Sequence, residues 1–326
     1  MLRRTALLAA VAATAVLPNA FAKPTMRGAV AIDGSSTVYP ITEAVAEEFY
    51  NEQPRVRVSV GFSGTGGGFK KFAAGETHIS DASRPIKSKE RSALDSAGID
   101  FIELPVAYDG LCIVVNPKNT WVDSLSVDDL KKIFLDGSTV DSWDDVRAGW
   151  PNKPLDIYAP GTDSGTFDYF KEVVAGKTGS IRGDMQVSED DNILVRGVSG
   201  TEGAIGFFGY AYYVENKGKL RAVPIDGGKG PVTPSSRTVE NGSYAPFSRP
   251  LFIYVTAEAA EEPQVEAFVD FYLDNAAELA AEVGYVGLPR SVSKSVRRVW
   301  DTRETGTRFL TSGGEKIHKP LTDLYK

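Results

Sequence analysis

Three short segments share one chemistry: Gly34-Ser35-Ser36-Thr37, Ser63-Gly64-Thr65-Gly66-Gly67-Gly68 and Asp163-Ser164-Gly165-Thr166. Each sets small hydroxyl residues and glycines at the expected start of a helix, where main-chain N–H groups lack partners and the helix dipole is positive. Small side chains let an anion approach that backbone, and the hydroxyls add donors of their own. One such segment is ordinarily a helix cap. Three in one chain, two of them glycine-rich, point to an oxyanion held by neutral donors. A fourth segment, Ile79-Ser80-Asp81-Ala82-Ser83-Arg84-Pro85, reads as a loop after a helix that carries a carboxylate, hydroxyls and a guanidinium. Arg84 could engage an oxyanion through two parallel N–H bonds, and a carboxylate beside it would select an anion that still holds a proton. The plain alternative is an Asp81–Arg84 surface ion pair, which contributes little.

Other chemistries fit less well. No Gly-Lys-Ser/Thr follows the glycine run, so it is not a nucleotide P-loop, and it lacks the dinucleotide fingerprint's spacing. Gly61-Phe62-Ser63-Gly64-Thr65 lacks the second glycine of a nucleophile elbow, and nothing places His78 beside it as a base. A secreted serine-dependent phosphoesterase is therefore the minor alternative, and no enzyme activity is expected. Two histidines, His78 and His318, and one cysteine exclude a zinc site of several His or Cys ligands. No metal or organic cofactor is expected. Cys112 lies in the apolar run Leu111–Val115 and reads as a buried thiol.

The elements that would position these groups follow from the apolar spacing. Gly28–Asp33 reads as a strand leading into the first segment. Ile41, Ala44, Val45 and Phe49 then recur at helical spacing. Val56, Val58 and Val60 alternate as a strand into the second segment, after which Phe69 and Phe72 begin another helix. Strand, turn and helix in repetition imply an α/β fold with a parallel sheet, whose ligands sit beyond the strand ends. The apolar strands Leu111–Val115 and Leu251–Val255 bracket a middle portion, which suggests a domain inserted into another. Pro263–Gly284 reads as an amphipathic helix, with Val265, Phe268, Val269, Tyr272 and Leu273 on its apolar face. The stretch Phe207, Phe208, Tyr210, Tyr212 and Tyr213 reads as core or hinge packing.

The chain has 326 residues, with 43 acidic against 36 basic side chains and a formal charge of −7. That balance argues against nucleic acid or an anionic membrane as a partner. Residues 1–22 read as a signal peptide, with Arg3 and Arg4, an apolar run over Ala6–Leu17 and cleavage after Ala22. Loss of the two arginines takes the charge from −7 to −9. The expected location is the periplasm, with release to the medium as the other destination.

In their order, Gly34-Ser-Ser-Thr-Val-Tyr-Pro-Ile-Thr, Gly61-Phe-Ser-Gly-Thr-Gly-Gly-Gly-Phe, Asp81-Ala-Ser-Arg-Pro-Ile, Pro160-Gly-Thr-Asp-Ser-Gly-Thr-Phe and Gly206-Phe-Phe-Gly-Tyr resemble the PstS family of phosphate-binding proteins, and its SphX-like branch. The resemblance spans essentially the whole mature chain. It implies a type II periplasmic binding protein, an α/β fold of two lobes with a ligand cleft between them. The lobes would be residues 23–107 with 246–326, and residues 108–245. It further implies a monomer that captures inorganic phosphate and delivers it to a membrane ABC permease. Matched to the family's motifs, the anion ligands would be Ser36, Thr37 and the Val38 N–H, then Ser63 or Thr65, then Ser164, Gly165 and Thr166 from the opposite lobe. Two departures stand out. Ser83 stands where the better-known pattern has an acid, and Pro160 stands near the place of its arginine. The expectation is that Arg84 supplies the charge, with Asp81 or Asp163 accepting the phosphate proton. Another tetrahedral oxyanion (sulfate, arsenate or molybdate) is the alternative ligand.

Overall fold

Small residues and β-branched alternation at the start of the chain give two parallel strands. The computed structural model describes residues 26–162, 164–176, 178–188 and 190–326; the expected leader over residues 1–22 lies outside these, as does Asp163. Strand β1 (Gly28–Gly34) pairs in parallel with β2 (Val56–Phe62) and with β3 (Ile79–Ala82). Helix α1 (Tyr39–Glu52) connects β1 to β2. Pro40 sits in its first turn, and Ile41, Thr42, Val45 and Phe49 are its buried face. That face packs on the helix Pro263–Glu282, where Phe49 and Phe268 meet edge to face at 5.3 Å and the Thr42 and Tyr272 hydroxyls lie 3.0 Å apart. Within the long helix Val265, Phe268, Val269 and Tyr272 are buried as expected, while Leu273 is only half-buried.

The glycine run has a structural task as well as a chemical one. Helix α2 (Thr65–Ala73) starts at Gly64, whose φ of 76° is costly for any residue with a Cβ. At Gly68 a Cβ would stand 2.5 Å from the Gly34 Cα. Glycine there lets α2 lie directly on the end of β1, which brings the first two hydroxyl segments side by side.

The strand expected over Leu111–Val115 is longer than its apolar run. It is the second part of β4 (Phe101–Val115), fifteen residues that are all buried. Pro105, Asp109 and Gly110 hide the first part from a reading based on propensity. The return strand Ser248–Thr256 pairs antiparallel with residues 101–110 of β4, and its register slips between Leu251 and Phe252, opposite Ala107 and Pro105. Such a bulge accommodates the missing proline N–H. On its other edge the return strand pairs with β3. Ile79–Ala82 is therefore a wholly buried strand and not the loop that Ser80 and Asp81 suggested.

From Leu111 onward β4 pairs with Ala204–Gly209, which lies beside Asp156–Pro160 and then Gln186–Ser188. The result is a mixed, curled sheet running β2, β1, β3, return strand, β4 and on into the second set of strands. β4 thus belongs to two α/β lobes at once. In the second lobe Phe207 stacks on Phe170 at 3.9 Å, and Phe207, Phe208 and Tyr210 are buried in the core, while Tyr212 and Tyr213 are half-buried and Tyr212 lines the cleft. Cys112 is buried beside them. Among the described residues no helix is long and apolar enough to cross a membrane.

Candidate functional site

The first hydroxyl segment folds around Ser35. Its N–H donates to the Asp81 carbonyl at 2.9 Å, its Oγ accepts from the Thr37 N–H at 3.2 Å, and its carbonyl accepts from the N–H groups of Val38 and Tyr39 at 3.1 and 3.0 Å. Val38 is fully buried, so the donor expected of it points at Ser35 and away from the cleft. The Ser36 N–H has no partner among the described residues. Ser36 also lines both of the adjoining hollows between the lobes, of about 660 and 370 Å³.

The second segment divides. Ser63 donates to the Asp33 carboxylate, which Lys71 also holds at 2.6 Å. Burial works to raise the Asp33 pKa, but the Lys71 and Ser63 hydrogen bonds and the Lys71 charge outweigh it and keep the carboxyl below its usual range. Ser63 is thereby tied to Asp33, whereas Thr65 faces the cleft. Thr65 Oγ1 lies 3.2 Å from Ser83 Oγ and accepts the Ser83 N–H at 3.2 Å, so these two hydroxyls form one pair across α2 and the end of β3.

Asp81 and Arg84 part company. Asp81 is fully buried below the first segment, its carboxylate oxygens have no hydrogen-bond partner among the described residues, and it does not line the cleft. Burial pushes its pKa to about 8, with the Thr42 hydroxyl pulling the other way and the Asp33 charge adding to the rise. Arg84 borders the cleft, but its guanidinium grips Glu90 with two bonds of 2.8 and 2.7 Å. That pairing cancels most of the charge expected of Arg84 and replaces the Asp81–Arg84 pair considered from sequence.

The third segment meets the first across the cleft. Ser164 caps the helix Gly165–Ala175 by accepting the Thr166 N–H at 3.2 Å. A Cβ on Gly165 would stand 3.0 Å from the Thr37 Cα. The two helix starts therefore face one another with almost nothing between them. Ser36, Thr37, Thr65, Ser83, Arg84, Ser164, Gly165 and Thr166 all line this region. Val38, Ser63 and Asp81 do not.

The cation at the centre of the site is Arg249, on the return strand. Its Nη2 donates to Thr37 Oγ1 at 3.0 Å and its Nε to Asp109 Oδ2 at 3.2 Å. From the second lobe, the Tyr169 ring lies 3.6 Å under the guanidinium and Glu172 Oε2 is 3.8 Å from Nη1. Burial raises the Asp109 pKa, and Arg249 only partly counteracts it. No local motif marks Arg249 in the sequence. A signal was nevertheless present: each of the two apolar strands is preceded, two residues before its first leucine, by a charge, and the two charges are opposite (Asp109 before Leu111, Arg249 before Leu251).

Neither histidine is bonded to a segment hydroxyl. His78 Nδ1 accepts the Ala31 N–H at 2.8 Å, and Nε2 is 3.9 Å from Glu262. Asp190 caps a helix by accepting the Asn192 N–H at 2.9 Å.

Against known proteins, the profile described as a PBP superfamily domain matches residues 19–276. Protein SphX of Synechococcus elongatus is 49% identical over 331 residues, which covers all of this chain and 96% of the relative. Phosphate-binding protein PstS of Staphylococcus saprophyticus is 41% identical over 265 residues, 81% of each chain. The crystal structure of a possible phosphate binding protein from Planctomyces limnophilus superposes with a TM-score of 0.83 at 46% identity, covering 86% of this chain and 99% of that one. The second of these is named a phosphate-binding protein and the third a possible one. With its profile match, its two-lobed sheet and relatives this similar over four fifths or more of their length, the chain belongs to the PBP superfamily, in the family of SphX and PstS.

Proposed function

We propose that this protein captures inorganic phosphate between its two lobes and delivers it to a membrane ABC permease. The relatives' names supply the ligand class. The observation that carries the reading is the meeting of Ser36–Thr37 with Ser164–Thr166 beside Arg249. The Ser36 N–H, the Thr37, Thr65 and Ser83 hydroxyls and the helix start at Ser164–Thr166 would surround a tetrahedral anion. Arg249 would supply the positive charge, in place of Arg84. The two helix dipoles add their positive ends, as at other anion sites. Among the described residues, Asp168 and Glu172 line this region and are the carboxylates that could accept a phosphate proton.

The lobes in this reading are residues 23–107 with 246–326, and residues 108–245, joined through β4 and the start of the return strand. Phosphate binding to donors on both lobes would favour the closed arrangement by its differential affinity. The permease would read that closed form. Export to the periplasm and action as a monomer belong to the same reading.

The test is calorimetry of the mature protein, stripped of anion, titrated with phosphate and separately with sulfate across pH. Phosphate binding that persists in a large excess of sulfate supports the proposal. Equal affinity for the two anions would replace phosphate with a general oxyanion ligand, and binding of neither would overturn the reading.

A further inference from the structure

The two hollows that Ser36 joins differ in character. The larger, of about 660 Å³, is bordered by Arg84, Asp168, Lys171, Glu172 and Arg249. The smaller, of about 370 Å³, has no charged side chain in its lining among the described residues. Ser36, Ser164, Gly165 and Thr166 belong both to this hollow and to the anion seat. Most of the remaining lining is rings: Tyr39, Pro40, Phe62 and Tyr285 come from the first lobe, Pro160 and Tyr212 from the second. The volume lies within the ordinary range of small-molecule pockets, about 300–1,000 Å³.

Local packing sets these rings in place. Phe62 ends β2, directly before Ser63, and meets the Tyr39 ring edge to face at 5.0 Å. Tyr39 donates its hydroxyl to Glu43 at 2.5 Å, which leaves its ring as its contribution to the hollow. Opposite, the Tyr212 ring lies against Gly284, where φ is 90° and a Cβ would stand 2.9 Å from the ring's Cε2. Glycine at 284 thus lets a ring of the second lobe close on the first. Phe62 nevertheless remains 64% exposed. Isolated exposed rings are ordinary on a protein surface. This one borders a hollow that opens onto the anion seat, so a ligand filling the hollow would cover it.

A tetrahedral anion seated at Ser36 and Ser164–Thr166 has a side turned to each hollow. Toward the larger, its oxygens meet charge. Toward the smaller, they meet rings, where an apolar group gains more than an oxygen does. We propose that the smaller hollow is a substituent subsite, and that the protein takes organic phosphoryl compounds in addition to inorganic phosphate. Their class is phosphonates and phosphate monoesters bearing one flat apolar group, since offset and edge-to-face contacts with rings favour such a shape. This inference rests on the anion reading given under the proposed function and extends its ligand class.

The experiment is calorimetry of the mature, anion-free protein with phenylphosphonate as the probe. Methylphosphonate is the comparison, the same phosphoryl group with a substituent too short to fill the hollow. Phenylphosphonate should bind at one site, compete with phosphate, and bind about tenfold or more tighter than methylphosphonate. Phe62→Ala, at an exposed position, should reduce that ratio by about fivefold and leave phosphate affinity within about twofold of the native value. A ratio near one, phenylphosphonate that phosphate does not displace, or a ratio unchanged in Phe62→Ala overturns the subsite. A loss of phosphate and phenylphosphonate affinity in equal measure in that variant overturns it too. Phosphate binding without phenylphosphonate binding sinks this inference alone, whereas failure of phosphate itself to bind sinks the anion reading, so the two failures are distinct.

Discussion

Arg249 Nη2 donates to Thr37 Oγ1 at 3.0 Å, across 212 positions of sequence. Because the Thr37 oxygen accepts from the guanidinium, its own proton is free to point at an anion. The same arginine neutralises buried Asp109 and lies on Tyr169 of the other lobe. One side chain thus ties the hinge strands to both walls of the cleft.

Arg249→Ala should lower phosphate affinity by about a hundredfold, in line with loss of one or two charge-assisted hydrogen bonds. It should also destabilise the fold by about 3–5 kcal/mol at neutral pH, because Asp109 is left buried without its partner. Adding Asp109→Asn should restore most of the stability and none of the affinity. Calorimetry and urea unfolding on the single and double variants read the two effects separately. Affinity unchanged in Arg249→Ala would remove this residue from the site.

Gly165→Ala tests the contact between lobes. Its new methyl would stand 3.0 Å from the Thr37 Cα as the lobes are arranged here and should oppose the proposed closure. The expected result is a phosphate affinity lower by about tenfold, with the anion-free melting temperature unchanged within about 2 °C. A melting temperature that falls with the affinity would mark Gly165 as structural alone.

Two glycines of one helix should behave oppositely. At Gly68 a Cβ meets the Gly34 Cα at 2.5 Å, whereas at Gly66 nothing lies within 4 Å. Gly68→Ala should destabilise the protein by about 1–3 kcal/mol through overpacking. Gly66→Ala should be neutral or stabilise it by up to about 1 kcal/mol, since alanine is the better helix former. Denaturant melts of the two variants decide it; equal effects would mean that α2 does not rest on β1.

Burial raises the Asp81 pKa from 3.8 to about 8. In the unfolded chain the carboxyl ionises near its ordinary value, so between the two pKa values the folded state holds the extra proton. Stability from this group therefore falls as pH rises from about 4 to about 8, and levels off above that. Asp81→Asn removes the dependence. The variant's advantage in unfolding free energy over the native protein should grow across that window and then stay constant. A difference that is flat with pH would show Asp81 to be ionised in the fold.

The parallel start of the fold and the three hydroxyl segments were legible because each is written locally, in apolar spacing and in glycines at helix starts. Arg249 was not, since its role arises from strand pairing that joins it to Asp109, 140 residues away. β3 was misread because Ser80 and Asp81 are polar yet completely buried. Arg84 was given a ligand's part because nothing in the sequence spacing reveals that Glu90, one turn into the next helix, would clasp it.

The return strand fills the slot between β3 and β4. A polypeptide that emerges amino end first therefore leaves both of these strands with an open edge until residue 256 is out. The lobe begun earliest is completed last, and under the export reading proposed above the chain would stay pliable over most of its passage through a narrow channel. A fragment ending at residue 245 should accordingly show no cooperative thermal transition by circular dichroism, while the same fragment mixed with residues 246–326 should regain one.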